Sequence, residues 1–296
     1  MDNYRIINDE KYRFKKISNI NIDSLGQFYK SKYYETRNKK GKTSKYNKSE
    51  VFETEIIDDD LWRRHTWFLE TKKIFEKHIC SHSKSLLDIG CGYGVFLDFM
   101  AKEGWEVKGI EPSDIAYNSA KQKGLDVFHG TLNDYYNKNS NCKYSCVNLN
   151  NVLEHLVNPV GVLELCKNLL HDNGIIRIKV PNDFNKLQLI ANRKVKNKNW
   201  WILYPDHINY FTFDSLENIL RDLGFRIVHK TTDFPMEVFL LMGENYVDYP
   251  EIGKECHNKR KIFELSMTVE EREKLYAFLA GLGLGRNIIL YGKLEK

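Results

Sequence analysis

No stretch of the 296-residue sequence approaches the ~20 consecutive apolar residues that a membrane-spanning helix needs. The first residues, MDNYRIINDEKYRFKK, are charged and lack the apolar centre of a secretion signal. Cysteine is sparse. Cys80, Cys91, Cys142, Cys146, Cys166 and Cys256 contain no Cys-x-x-Cys, and Cys142 and Cys146 have no second thiol or histidine pair nearby to complete a zinc site. These absences predict a cytoplasmic protein with reduced thiols and no membrane span. Charge of one sign is not concentrated either. The formal net charge of +5 is spread along a lysine- and asparagine-rich chain, which argues against nucleic acid as the partner.

What is present is an alternation of short apolar runs and amphipathic segments. Ser85–Ile89, Val107–Glu111, Val127–Phe128, Tyr144–Leu149, Ile175–Val180, Phe225–Thr231 and Asn287–Leu294 read as strands. Between them, Tyr93–Glu103, Ser113–Lys123 and Val160–Leu170 read as helices, the first two closed by Gly104 and Gly124. Such alternation predicts an α/β, doubly wound, mostly parallel seven-stranded sheet with helices on both faces. In the fifth strand Ile176, Ile178 and Val180 face one way while Arg177 and Lys179 face the other, so its second face is expected to be only partly covered. Asp214-Ser-Leu-Glu217 and Thr268-Val-Glu-Glu271 read as capping boxes opening two further helices. Four units follow: an N-terminal extension over 1–60 with a basic loop at 30–48, a core over 61–232, a helical insertion over 233–285, and the last core strand over 286–296.

Residues 86–97, LLDIGCGYGVFL, place Asp88 at the end of an apolar strand and Gly90, Gly92 and Gly94 in the turn to a helix. Glycines there let the backbone approach a ligand, and the helix start offers unpaired N–H groups. The third glycine comes one position too early for a dinucleotide fingerprint, which favours a single adenosine-type cofactor. Glu111 closes the next strand, where a carboxylate accepts both hydroxyl protons of a ribose. Together these residues closely resemble the class I S-adenosylmethionine-dependent methyltransferases, with their Rossmann-like sheet, over about residues 61–232 plus the last strand. The resemblance implies S-adenosylmethionine as cofactor, with Asp88, Gly90, Cys91, Gly92 and Gly94 around its methionine part. It implies Glu111 and Pro112 at the ribose, and Leu132 and Asn133 beside the adenine.

NVLEHLVNP, residues 151–159, resembles the branch that contains ubiquinone-type and sugar O-methyltransferases. That implies Asn150, Asn151 and His155 at the methionine end, with His155 either catalytic or a loop-ordering residue. Pro205, Asp206, His207, Tyr210 and Phe211 match an element of the same branch, which puts His207 forward as the general base, oriented by Asp206. Imidazole, with an ordinary pKa of about 6.5, suits that task near neutral pH. Trp200, Trp201, Tyr204, Asp206 and Tyr210 are the candidate acceptor-binding residues. No Asp, Glu and His cluster at ligand spacing is visible near the strand ends, so transfer is expected to need no metal. The basic segments 30–48 and 193–198 read as solvated loops or as contacts for the phosphates of a nucleotide-linked sugar. The leading reading is a small-molecule O-methyltransferase acting on a sugar or nucleotide sugar in polysaccharide synthesis. Quinone or phenol methylation, RNA methylation and a non-catalytic cofactor-binding scaffold are the alternatives. A homo-oligomer is left open.

Overall fold

In the computed structural model, residues 4–20, 57–79 and 84–295 are described. The basic run from Lys30 to Lys48 and Cys80 lie outside these residues. A two-stranded ribbon, β1 (Arg5–Asn8) and β2 (Lys15–Ser18), comes first, followed by α1 (Asp59–Arg63), a π turn over Arg64–Phe68, and α2 (Leu69–His78). The core then begins with β3 (Ser85–Ile89), which is buried at every position. Because successive side chains in a strand alternate faces, Leu87 and Ile89 enter one apolar core while Leu86 enters the other.

Helices and strands then alternate: α3 (Val95–Lys102), β4 (Glu106–Glu111), α4 (Asp114–Gln122), β5 (Val127–His129), α5 (Leu132–Asn139) and β6 (Tyr144–Asn150). After them come α6 (Pro159–Asn168), β7 (Leu170–Pro181), α7 (Lys186–Asn192), the short β8 (Asn209–Tyr210), α8 (Phe213–Asp222) and β9 (Phe225–Thr231). The insertion holds α9 (Glu237–Leu241), α10 (Pro250–Leu265) and α11 (Val269–Gly281), and β10 (Asn287–Leu294) closes the fold.

The main sheet runs β5-β4-β3-β6-β7-β10-β9, with β3 to β7 parallel and β10 antiparallel to both its neighbours. The expected seven-stranded, mostly parallel sheet is thus observed. Strand order reverses between β3 and β6, so the crevice for a ligand opens outside their carboxyl ends. A second sheet, β1-β2-β8, ties the N-terminal ribbon to the segment carrying His207 and Tyr210 through the pairing of Lys15 with Tyr210.

Local sequence chemistry sets the helix ends. Thr131 and Thr268 each cap a helix through a reciprocal box, the second as expected. The third box lies earlier than the sequence suggested: Thr212 is the cap and Ser215 its partner, so Asp214 falls in the first turn of α8. Phe213, Leu216, Ile219 and Leu220 then form its buried stripe, each contributing on the order of 1.5–3 kcal/mol by leaving water.

The second face of β7 departs from expectation, since α1–α2 and α10–α11 cover it and Arg177 is only 1% exposed. A cation survives there because other elements supply its partners. Its Nε donates to the Tyr291 hydroxyl at 3.1 Å, and its guanidinium lies 5.4 Å from the Trp67 ring centre. Beside it, Glu264 accepts from Trp62 Nε1 at 2.7 Å, Tyr276 Oη at 2.6 Å and Arg260 Nε at 3.1 Å. Asp233 takes Lys179 at 3.2 Å and Arg260 at 3.3 Å. Burial alone would raise the Asp233 carboxyl, but these two cations hold it down at about 2. This network anchors α10 and α11 to the core as a structural layer. The α9 end of the insertion also reaches the carboxyl edge, where Leu240 packs with Ala191 and Val195.

Candidate active site

The turn after β3 is built for close backbone approach. Gly90 and Gly94 have φ of 68° and 70°, and a Cβ on Gly90 would lie 2.8 Å from Val152 Cγ2. Gly90 N–H and Cys91 N–H both donate to Ile110 O, at 2.8 and 3.1 Å, which pins the turn to β4. Cys91 packs its sulfur over Gly109, where a Cβ would lie 2.7 Å from it, so that position on β4 also needs glycine. Glu111, 3% exposed, accepts Gly92 N–H on Oε2 and Ser113 N–H on Oε1, each at 2.9 Å. Each carboxylate oxygen accepts two hydrogen bonds, so one place per oxygen is left for a ribose hydroxyl. The cradle therefore fits the cofactor implied by the sequence. Burial raises the Glu111 carboxyl, while the two N–H bonds pull it back.

Asp88 stands behind the glycine turn in a relay that the sequence reading missed. Asn148 Nδ2 donates to Asp88 Oδ1 at 2.6 Å, and Arg177 Nη1 donates to Asn148 Oδ1 at 2.8 Å. Among the described residues, Arg177 has no carboxylate at ion-pair distance, so its charge reaches Asp88 through one amide. Burial pushes the Asp88 carboxyl up to about 7, against the Asn148 bond and the Arg177 charge and with help from Glu111. The alternation that set Arg177 apart on its strand was the signal available in the sequence.

At the end of β6 a second cluster gathers. Asn151, with φ of 58°, donates its backbone N–H to Lys179 O at 2.8 Å and its Nδ2 to Glu154 Oε1 at 3.0 Å. Glu154 is fully buried, which raises its carboxyl, and its carbonyl accepts Ile208 N–H at 2.8 Å. That bond brings the distant His207 segment to this strand end. His155 Nδ1 lies 2.6 Å from Asp206 O and 3.3 Å from Asp206 Oδ1, and its ring meets His207 edge to face at 5.0 Å. Asp206, expected to orient His207, thus addresses His155. Glu154, His155 and His207 each bring one ligand-type atom within 4.8 Å of the others. The expectation that no such cluster lies near the strand ends is corrected. Two members adjoin in sequence and the third comes from a remote segment, so linear spacing hid the group.

The remaining candidates divide. Asn150 accepts weakly from Arg177 at 3.4 Å, and Pro112 is half-buried beside Glu111. Leu132 is 5% exposed and turned into the core, while Asn133 is exposed. Trp201 is buried against Phe184, and Trp200 meets it edge-on with centres 4.9 Å apart. Tyr204 packs on Tyr4 at 5.1 Å, and buried Tyr210 donates to His207 O at 3.0 Å, so both brace the segment.

A family profile described as a methyltransferase domain matches residues 60–230. The ubiquinone biosynthesis O-methyltransferase of Actinobacillus pleuropneumoniae serotype 7 is 34% identical over 117 residues, 36% of this chain and 50% of that protein. The protein of the same name from Vibrio campbellii is 31% identical over 129 residues, 42% of this chain and 54% of that one. The chain thus spans about half the length of the curated relatives it matches. A SAM-dependent methyltransferase from Archaeoglobus fulgidus superposes with a TM-score of 0.52 at 20% identity, covering 79% of this chain and 97% of that one. Magnesium protoporphyrin IX methyltransferase from Synechocystis gives 0.51 at 14% identity, over 92% and 99%. At these identities the two structures establish the fold alone.

Proposed function

This chain belongs to the methyltransferase-domain family and takes S-adenosylmethionine as its cofactor, and from that premise we propose an O-methyltransferase of a small hydroxylated acceptor, a sugar or nucleotide-linked sugar of polysaccharide synthesis. The observation that carries it is the Glu154, His155, Asp206 and His207 cluster at the carboxyl end of β6, on the edge that bears the glycine turn. The bound cofactor supplies a methyl group activated by a positive sulfur. What the chain must add is a place for the proton. A sugar hydroxyl is a poor nucleophile until its proton is shared. With Nδ1–H of His155 donated to Asp206 O, the lone pair on Nε2 takes that proton as the oxygen acts. His207, edge-on to the same ring, steers the imidazole and is the alternative base. Glu111, Gly92 and Asp88 hold and orient the cofactor, and the acceptor lies toward Trp200 and Trp201. The N-terminal ribbon β1–β2 and the α9 end of the insertion complete the acceptor pocket, a reading supported by the pairing of β2 with β8; the expected share of the rest of residues 1–60 lies mostly outside the described residues. The exposed Arg193, Lys194 and Lys196 are the proposed phosphate contacts.

A quinol or phenol acceptor is the second reading, favoured by the names of the curated relatives. Incubation of the protein with labelled cofactor and a panel of nucleotide sugars, quinols and RNA separates the readings. Label in a nucleotide sugar is expected. Label confined to quinols, or to RNA, moves the assignment there.

A further inference from the structure

Beside the histidine cluster the chain assembles a second polar group that the mechanism above does not use. Asp183 lies two residues past the end of β7 and Arg286 precedes β10, and the antiparallel pairing of Pro181 with Asn287 brings them to one end of the strand pair. Asn182 N–H donates to Arg286 O at 3.0 Å. Glu237, the first residue of α9, places Oε1 3.3 Å from Arg286 Nη1. Arg286 keeps 37% of its side chain accessible, so it lines open space, whereas Glu237 is 1% exposed and Asp183 5%.

The hydrogen-bonding of this group is incomplete. Among the described residues, Asp183 Oδ1 takes only Gln188 Nε2, at 3.3 Å, and Asp183 Oδ2 and Glu237 Oε2 have no partner. Among the same residues the Trp200 and Trp201 indole N–H groups and the Tyr246 hydroxyl are buried and unpartnered too. Folded proteins leave few buried polar groups in this state; here the two carboxylates adjoin one guanidinium, and Trp200 and Tyr246 pack beside α9. Asp183 is in electrostatic reach of Arg286, Glu154 and Glu237, and Tyr246 of Glu237 and Arg286, so the group is continuous with the cluster at His155.

We propose that Asp183, Glu237 and Arg286, with Trp200 and Tyr246, form the subsite that holds the ring of a hydroxyl-rich acceptor, a sugar, against the histidine pair. This rests on the sugar reading above. Two carboxylates, Asp183 and Glu237, face the Arg286 cation, and Glu154 adds its charge beside Asp183, so the subsite wants donors and repels anions. Ring hydroxyls satisfy both kinds of vacancy: they donate to the carboxylates and accept from the guanidinium and the indole. A quinol offers few hydroxyls and an apolar tail, which would leave these buried oxygens unpaired. The phosphates of a nucleotide sugar are excluded by charge and remain outside, on the side of Arg193 and Lys194.

The test uses the full chain saturated with S-adenosylhomocysteine and ligand-observed NMR titrations of methyl glucoside, UDP-glucose, GDP-mannose and catechol. Glu237→Gln and Asp183→Asn are compared with wild type, melting temperature and S-adenosylhomocysteine affinity serving as folding controls. Gln at 237 still offers an oxygen to Arg286, so folding is expected to hold. Hydrogen bonds to charged groups predict that each variant weakens hexose binding by roughly 10–100-fold, with S-adenosylhomocysteine affinity unchanged. Hexose binding that is equal in wild type and both variants overturns the subsite and leaves the sugar reading standing. Binding of catechol alone, or of none of the probes, overturns the sugar reading and the subsite with it.

Discussion

The two halves of the cleft are built by opposite strategies. Apart from the Asn148–Arg177 relay behind Asp88, the cofactor half comes from one continuous stretch, β3 to the start of α4, whose polar contacts span at most 19 residues: Gly92 and Ser113 to Glu111, Cys91 to Ile110. The acceptor half is gathered from the ends of β6, β7, α9 and β10 and from the segment before β8, and its contacts join residues far apart in the chain, such as His155 to Asp206 and Glu237 to Arg286. The first half accommodates an invariant cofactor, so a compact local motif suffices. The second must suit one acceptor, and a shared fold adjusts that at loops and insertions.

Glu111→Ala is the largest expected break in the cofactor half. It removes an acceptor for two ribose hydroxyls and for two loop N–H groups. At about 1.5–3 kcal/mol for each charge-assisted bond to ribose, cofactor affinity should fall roughly 10²–10⁴-fold by calorimetry. Unchanged affinity would remove the ribose assignment.

In the acceptor half, His155→Ala is expected to lower turnover by roughly 10²–10⁴ while cofactor affinity stays within error. His207→Ala is expected to cost less, about tenfold, because its role is to steer its neighbour. The reverse order would return the base to His207, as the sequence suggested. Indifference to both would point to an acceptor that is already acidic, such as a phenol.

The relay behind Asp88 predicts a pH dependence confined to the cofactor half. Its carboxyl is raised to about 7, so the anion proposed to orient the cofactor from behind the glycine turn is present above that pH and lost as pH falls through it. Affinity for S-adenosylhomocysteine should therefore weaken on acidification through that window. Glu111 and Cys91 also face Asp88, and Glu111 already opposes its ionisation; Arg177→Met removes the charge that favours it. The midpoint should then move upward by about one unit, a roughly fivefold weaker affinity at pH 7, with Arg177→Lys restoring part of it. A Met variant that melts earlier yet keeps the wild-type midpoint would reduce Arg177 to a packing residue.

The smallest expected effect is none. Excess chelator should leave turnover undiminished, because His155 Nδ1 is engaged by Asp206 and Glu154 by Asn151. Activity lost in chelator and restored by magnesium would recast Glu154, His155 and His207 as ligands of an ion.

The sequence by itself determined the sheet, the glycine turn and Glu111. Period-two apolar runs, glycines and caps act within a few residues, so the strand and helix order can be read from neighbours alone. It also marked Arg177 and Lys179 as anomalous but misjudged why, since their cover comes from helices on either side of the core in sequence. Only the tertiary structure decided which histidine meets Asp206, where the third member of the Glu154, His155 and His207 group comes from, and that Asp183, Glu237 and Arg286 lie together. Those relations depend on β7 and β10 being antiparallel neighbours and on the Glu154 to Ile208 bond. Such long-range pairings are set by the burial and hydrogen-bond satisfaction of the whole chain, and no local pattern of residues encodes them.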